Sequence, residues 1–465
     1  MYWFLFKNKL KYQNIFLLIS SYLFYSFWDW RFSFLLLFST ILDYLTGIKI
    51  FESKKKDLKL FWMWLSIIIN IGFLGVFKYF NFFYDSLENA MNLIGIKTNL
   101  NSFQIILPVG ISFYTFHGIS YVIDMYNNKI EPERNLINYG VFVSFFPLLV
   151  AGPIERATHL LPQIKKERTF SYIKSVDGLK RILWGLFKKM VIADNCADIV
   201  NTIFGNFSTY SGSTLFLGGI LFSIQIYCDF SGYSDVALGT AQLFGITLLK
   251  NFSYPYFSRD IAEFWRRWHI SLSSWFKDYL YFPLGGSKGG LWMRVRNTFI
   301  IFIISGLWHG ANWTFIAWGL LNAFYILPSI VFQTNRRNIA IVAEGKVLPT
   351  AIELLQIIKT FILATFAWIL FRSNNLKDAY HYISKILSNS IFQTPETTKF
   401  ENITLLTILI IFFFIIEWLG REKEYAIQEI GRKWTRISRW IFYIITIFLA
   451  FFFSGKEQEF IYFQF

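Results

Sequence analysis

The sequence predicts an all-α polytopic membrane protein, with about ten or eleven transmembrane helices and further re-entrant or interfacial helices. Three observations predict it. Hydrophobic residues make up 54% of the chain and charged residues only 16%, and the mean hydropathy is +0.41; soluble domains carry more charge. Apolar runs follow one another along nearly all of the 465 residues. The basic excess, 45 Lys and Arg against 30 Asp and Glu, sits in short clusters between those runs, as it does in cytoplasmic loops of membrane proteins. In a soluble protein a net charge of +15 would suggest nucleic acid. Distributed in this way it suggests a bilayer, and no nucleic-acid partner is expected.

The apolar runs are 15–30, 32–50, 60–84, 104–126, 138–154, 180–204, 214–228, 235–248, 297–309, 313–332, 350–371, 403–419 and 437–453. A crossing helix needs about 20 residues, and several runs are shorter or charged. The run 180–204 holds Lys188, Lys189, Asp194 and Asp198, and the runs 214–228 and 235–248 are separated by Asp229-Phe230-Ser231-Gly232. That interruption predicts a broken helix, which survives at membrane depth only inside protein or around water. The clusters Lys54-Lys55-Lys56, Lys165-Lys166-Glu167-Arg168, Arg294–Arg296, Arg336-Arg337 and Arg432–Arg439 mark the expected cytoplasmic side. The weakly charged linkers near 85–101, 205–213 and 388–402 mark the other. No internal repeat and no interdomain linker stands out, so one membrane-embedded domain is expected over 1–465. No cleavable signal segment is evident: Lys7, Lys9 and Lys11 precede an apolar stretch that runs on into more of the same. Aromatic residues are dense, with 55 Phe and 17 Trp; interfacial belts and packing account for nearly all of them.

Against this background a lone imidazole stands out. The chain has five histidines. One of them, His309, closes the run Phe299–Leu307 within Ser305-Gly306-Leu307-Trp308-His309-Gly310-Ala311-Asn312-Trp313. A titratable group at membrane depth is costly to keep and marks a functional site, and imidazole is the side chain best suited to accept a proton near neutral pH. The competing reading is a buried histidine bonded to a neighbouring helix. Asn312 follows at i+3, where a continuing helix would let it orient the ring or donate to an oxyanion.

A second block runs from Gln225 to Ser287. It contains Tyr227-Cys228-Asp229-Phe230-Ser231-Gly232-Tyr233-Ser234-Asp235, then Asn251-Phe252-Ser253-Tyr254-Pro255, then Phe264-Trp265-Arg266-Arg267-Trp268-His269-Ile270-Ser271-Leu272-Ser273, and ends near Pro283-Leu284-Gly285-Gly286. On a helix over 264–278, Trp265, Trp268, His269 and Leu272 share one aromatic face. His269 is expected to orient, relay protons or contact a carbonyl; the plainer reading is that it braces its helix. Arg266 and Arg267 read as interface charges, with donor phosphates as the alternative. Asp229 and Asp235 are expected to pair with internal cations. His159 and His381 read as loop or surface residues. Cys196 and Cys228 form neither a disulfide framework nor an activated thiol, and no ligand-spaced cluster predicts a metal.

The strings Phe264–Ser273, Pro283–Gly286 and Gly306–Trp313 resemble the membrane-bound O-acyltransferase family, nearest its bacterial alginate O-acetyltransferase branch. The likeness extends from Pro108-Val109-Gly110-Ile111-Ser112-Phe113-Tyr114 through Ala151-Gly152-Pro153-Ile154-Glu155-Arg156 to the terminal Phe460–Phe465. The protein that transfers D-alanine to teichoic acid is a more distant likeness. The resemblance implies helices around a central tunnel, a catalytic core region at 215–330, and His309 as the catalytic base with His269 as the second polar position. It places Trp265, Trp268, Trp308, Asn312, Tyr233 and His117 along the tunnel.

It further implies a cytoplasmic acyl thioester donor, acetyl-CoA or an acyl carrier, and no tightly bound cofactor. The acceptor it implies is an exported polysaccharide, alginate-like, reached in the bacterial cytoplasmic (inner) membrane. With no sizeable extracytoplasmic domain in the sequence, an extracytoplasmic acetyltransferase partner is expected beside membrane lipid. The alternatives are D-alanyl transfer to teichoic acid and a non-catalytic transporter; the latter would show inverted repeats. Family members open with a full apolar helix before their first basic cluster, whereas only Met1–Phe6 precede Lys7 here. That departure bears on the helix count and the side of the N-terminus.

Overall fold

The computed structural model describes residues 2–96, 105–432, 434–456 and 458–461. Outside them fall residues 97–101 of the linker expected near 85–101, the first residue of the run 104–126, position 433 in the last basic cluster, and Tyr462–Phe465 of the terminal string. The described residues are helical with no strand. They pack as two compact units, residues 1–175 with 241–249, and residues 176–240 with 250–465. The core region expected at 215–330 belongs to the second unit except for 241–249.

Seven helices among the described residues are long and apolar enough to cross a membrane. The first, Leu10–Glu52, has 43 residues, about 65 Å at the helical rise and twice a bilayer's hydrocarbon thickness. It changes direction at Asp29, whose backbone is extended (φ −158°, ψ 111°). Asp29 takes the Arg31 guanidinium at 2.6 Å, and the exposed Trp28 and Trp30 flank it. A charge pair interleaved with two tryptophans is the composition of a membrane–water interface. The runs 15–30 and 32–50 thus become two halves of one kinked helix. The run 60–84 becomes Lys56–Leu74, a π turn Gly75–Tyr79 and Phe80–Leu93. The runs 104–126 and 138–154 become pieces below spanning length: Ile111–Tyr126, Leu136–Ser144 and Phe146–Leu149. In the second unit the other apolar crossings are Gly290–His309, Trp313–Val331, Ala351–Arg372 and Ile403–Gly420.

The interruption expected at Asp229–Gly232 does not occur. Gly212–Leu243 is one helix of 32 residues. Its two aspartates are met by neighbours, so the backbone has no need to open there. Asp229 accepts from the Ile461 amide at 2.8 Å and pairs with Lys189 at 2.8 Å. Asp235 pairs with Arg181 at 2.8 Å and Lys188 at 2.6 Å. The two aspartates therefore do pair internally. Gly232 serves close packing: a Cβ there would meet the carbonyl oxygen of Gly185 at 2.8 Å, and one on Gly185 would meet that of Gly232 at 2.5 Å. Absence of side chains lets two helices approach backbone to backbone.

The hairpin Gly290–His309 and Trp313–Val331 uses the same device. A Cβ on Gly319 would lie 2.2 Å from the carbonyl oxygen of Phe302, and one on Gly306 would lie 2.3 Å from that of Phe315. Backbone atoms cannot swing aside, so Gly319→Val is expected to cost about 1–3 kcal/mol or more. Thermal unfolding of the purified protein in detergent checks this. Gly72→Val, at a helical position with nothing within 4 Å of the added carbon, should leave the midpoint nearly unchanged.

Candidate active site

His309 is the last residue of Gly290–His309, because Gly310 leaves the helix in an extended conformation (φ −171°, ψ 159°). The chain then restarts as Trp313–Val331, with Asn312 as its N-cap: the Asn312 side-chain oxygen accepts from the Thr314 amide at 3.0 Å. Its amide nitrogen donates to the carbonyl of Asn374 at 2.8 Å. The continuing helix that would have placed Asn312 over His309 is therefore not present. An asparagine ahead of a helical run satisfies the orphan amides of that run better than it serves a mid-helix position. The expected i+3 relation becomes a capping turn.

His269 also sits at a helix boundary. The helix expected over 264–278 is two short helices, Ile261–Arg267 and Ile270–Phe276, followed by a π turn Lys277–Tyr281. His269 joins them with a left-handed backbone (φ 43°, ψ 54°), an unusual conformation for a non-glycine residue that the surroundings must enforce. The segment at 251–253 enforces it. The Ser253 amide donates to the Arg267 carbonyl at 3.0 Å, and the Ile270 amide donates to the Asn251 carbonyl at 2.9 Å. These bonds draw backbone groups out of the helix ladder at the junction. The Asn251 side chain completes the brace. Its oxygen accepts from Nδ1–H of His269 and from the Ser271 hydroxyl, each at 2.9 Å, and its nitrogen donates to Ser234 Oγ at 3.1 Å. Nδ1 carrying the proton makes Nε2 the basic nitrogen of His269.

The two imidazoles line one cavity of about 310 Å³ in the second unit, together with Trp265, Trp268, Ser305 and Arg336. The Trp308 ring lies 6.0 Å from the His269 ring and 4.9 Å from that of His309, measured between centroids. Trp318 and Phe371 meet His309 edge-on at 5.0 and 5.3 Å, and Phe230 meets His269 at 4.6 Å. Polar nitrogens in an aromatic surround, beside open volume, are what a reactive site in a membrane protein requires. Burial pushes the His269 pKa down from the ordinary histidine range, so the ring is neutral at cellular pH.

The remaining predicted residues divide. Trp265 and Trp268 face the cavity with the histidines. Tyr233 packs on Phe460 at 5.2 Å and is not among the cavity's lining residues. His117 belongs to the first unit, where its Nε2 accepts from the Glu155 amide at 3.1 Å and its ring lies 5.6 Å from Phe142. His159, read as a loop residue, sits in the helix Ala157–Lys165 and pairs with Glu155 at 2.7 Å; this carboxylate raises its pKa.

Two roles escaped the sequence reading. Asn251 carries no spacing signal toward His269. Arg266 holds the 335–338 segment at the cavity wall, donating to the carbonyls of Asn335 and Asn338 at 2.6 and 2.7 Å. Arg336, seen in the sequence only as part of a basic cluster, lines the cavity as a consequence.

Residues 129–352 match the membrane-bound O-acyltransferase family. The "probable alginate O-acetylase" of Pseudomonas aeruginosa is 36% identical over 420 residues, covering 89% of this chain and 78% of that protein. The chain belongs to the membrane-bound O-acyltransferase family. The peptidoglycan O-acetyltransferase of Helicobacter pylori is 32% identical over 502 residues, 99% of this chain and 92% of its own. The teichoic acid D-alanyltransferase of Bacillus subtilis is 30% identical over 227 residues, covering 46% of this chain and 57% of that protein. This member is therefore a multi-pass membrane O-acyltransferase, and an acyl donor is one of its substrates.

Because the folded state binds fewer protons at His269 than the unfolded chain does, its contribution to stability is full above the unfolded pKa of about 6.5 and is lost as pH falls below it. The thermal midpoint of the parent, minus that of His269→Gln, should be flat above this pH. Below it the difference should shrink, as the stabilisation it reports falls by about 1.4 kcal/mol per pH unit. Parallel curves for the two proteins down to pH 4.5 would show that His269 is not held neutral.

Proposed function

We propose that this O-acyltransferase moves acetyl groups from a cytoplasmic thioester, acetyl-CoA or an acyl carrier, toward hydroxyls of an exported, alginate-like polysaccharide, with His309 as general base. The observation that carries the reading is the shared cavity of His269 and His309. The acceptor oxygen attacks the thioester carbonyl while His309 takes its proton; the C–O bond forms, the C–S bond breaks, and the thiolate leaves with the proton returned to sulfur. A positioned base of this kind contributes about 10²–10⁴-fold. His269, neutral and fixed by Asn251, presents Nε2 to the same volume and acts on the ground-state carbonyl or as a relay. Trp265, Trp268 and Trp308 exclude water that would hydrolyse the thioester. Arg336 at the cavity wall receives the anionic portion of the donor. Asn312 and Tyr233 act by shaping the protein around this route.

The acceptor class rests on two relatives whose names specify alginate and peptidoglycan, both glycans with free hydroxyls, and both matched over most of their length. The D-alanyl reading rests on a relative matched over a shorter stretch. The enzyme works in the bacterial cytoplasmic membrane beside an extracytoplasmic acetyltransferase that completes transfer to the polymer.

His309→Ala is expected to lower the O-acetyl content of the secreted polymer at least about 100-fold, with membrane levels of the protein unchanged by immunoblot. Undiminished acetylation would remove His309 from the chemistry. Arg336→Ser should raise the KM for the donor about tenfold while leaving kcat within about twofold; a change confined to kcat would contradict its assigned place.

A further inference from the structure

A second large cavity lies within the first unit, with a volume of about 430 Å³. Its lining includes three cations, Lys166, Arg168 and Lys174, against one carboxylate, Glu167. Among the described residues none of the three cations forms an ion pair, although the adjacent Lys165 pairs with Glu133 at 3.3 Å. Arg168 is the informative one. It is 5% exposed, and the groups that hold its guanidinium are uncharged: the Asn14 side-chain oxygen, the Ile164 carbonyl at 3.4 Å, the Gln163 carbonyl at 3.5 Å and the Tyr2 ring at 5.9 Å. A buried guanidinium without a counter-ion is costly unless a ligand supplies the negative charge.

The rest of the cavity suits a phosphate. Ser175 lines it from the first turn of the 15-residue helix Tyr172–Leu186, whose N-terminal amides favour an anion. Ser171 lines it from just ahead of that helix, where its hydroxyl accepts from the Lys174 amide at 3.4 Å. The opposite wall is fixed by paired bonds between the Gln163 side chain and the Thr247 backbone, both at 2.9 Å. Beside the cations stand three bare apolar side chains, Phe170, Tyr172 and Ile173, exposed by 58%, 74% and 80%. Cations in a pocket beside exposed aromatic and aliphatic groups match a molecule with a phosphate at one end and hydrocarbon at the other.

We propose that this cavity holds the headgroup of an anionic phospholipid, with the phosphate between Arg168, Lys166 and Lys174 and the acyl chains against Phe170, Tyr172 and Ile173. The assignment is independent of the acyl-transfer chemistry, since it uses none of that site's residues. It makes the protein responsive to the acidic lipid content of its membrane.

Native mass spectrometry of the full chain in mild detergent tests it, with phosphatidylglycerol, phosphatidylcholine and inorganic phosphate as probes. One phosphatidylglycerol should bind with saturation, and phosphatidylcholine about tenfold more weakly. The double variant Lys166→Ser/Lys174→Ser, at two exposed positions that leave the fold intact, should weaken phosphatidylglycerol about tenfold or more. Arg168→Gln should do the same. Equal binding of the two lipids by the unaltered protein would overturn the proposal even if no variant could be purified. Phosphatidylglycerol binding that the double variant leaves unchanged would overturn it too. Inorganic phosphate displacing the lipid at matching concentrations would show a site for a soluble phosphate and overturn the lipid assignment.

Discussion

Two imidazoles face one cavity because the helices that carry them stop at those residues. His309 ends Gly290–His309, and His269 sits in the left-handed junction between Ile261–Arg267 and Ile270–Phe276. Had either helix run on, its histidine would lie along a packed flank with backbone groups above and below. Terminating there instead leaves the ring at an edge where space exists. The two terminations have different causes. Asn312 diverts the chain by capping the next helix, whereas Asn251 and Ser253 compete directly for the backbone groups of the 267–270 turn. The site therefore depends on amide and carbonyl groups as much as on the imidazoles.

The second constraint is charge. The second unit buries Lys188, Asp229, Asp235, Glu263 and Glu417, and each is answered. Lys188 bridges Asp235 and the Ser231 hydroxyl. Glu263 holds Arg259 and Arg267 at 3.1 and 2.8 Å. Glu417 accepts from Trp184 Nε1 at 2.9 Å and from the Tyr227 hydroxyl at 2.7 Å. Such pairs add little net stability, but losing one partner strands the other in a medium that cannot solvate it. The bonds of Asp229, Asp235 and Tyr227 fix how the long helix Gly212–Leu243 docks on its neighbours, with Gly185 and Gly232 setting the separation.

Much of this was legible in the sequence. Composition and loop charges gave the helical membrane class. The runs 15–30 and 32–50 became two halves of one helix kinked at Asp29. The two histidines and the tryptophans at 265 and 268 share a cavity. The errors share one physical cause. Periodicity reports which face a residue would occupy if the helix continued, and hydropathy reports where lipid would object. Neither reports a partner distant in sequence. Asp229 looked like a break because Lys189 and the Ile461 amide were invisible to it. The 264–278 stretch looked continuous because the Asn251 segment was invisible to it. Asn312 looked like a neighbour of His309 until the capping bond to Thr314 showed where the next helix begins.

The central claim is that the reacting carbonyl sits between His269 and His309. A structure of the protein with a non-hydrolysable thioether analogue of acetyl-CoA tests it most directly. The account predicts the analogue's carbonyl inside the cavity, with its carbon open to an acceptor oxygen placed about 3–3.5 Å away and within hydrogen-bond reach of His309. An analogue bound with its carbonyl outside that cavity, or with Trp308 and Trp318 closing His309 off from it, would contradict the account.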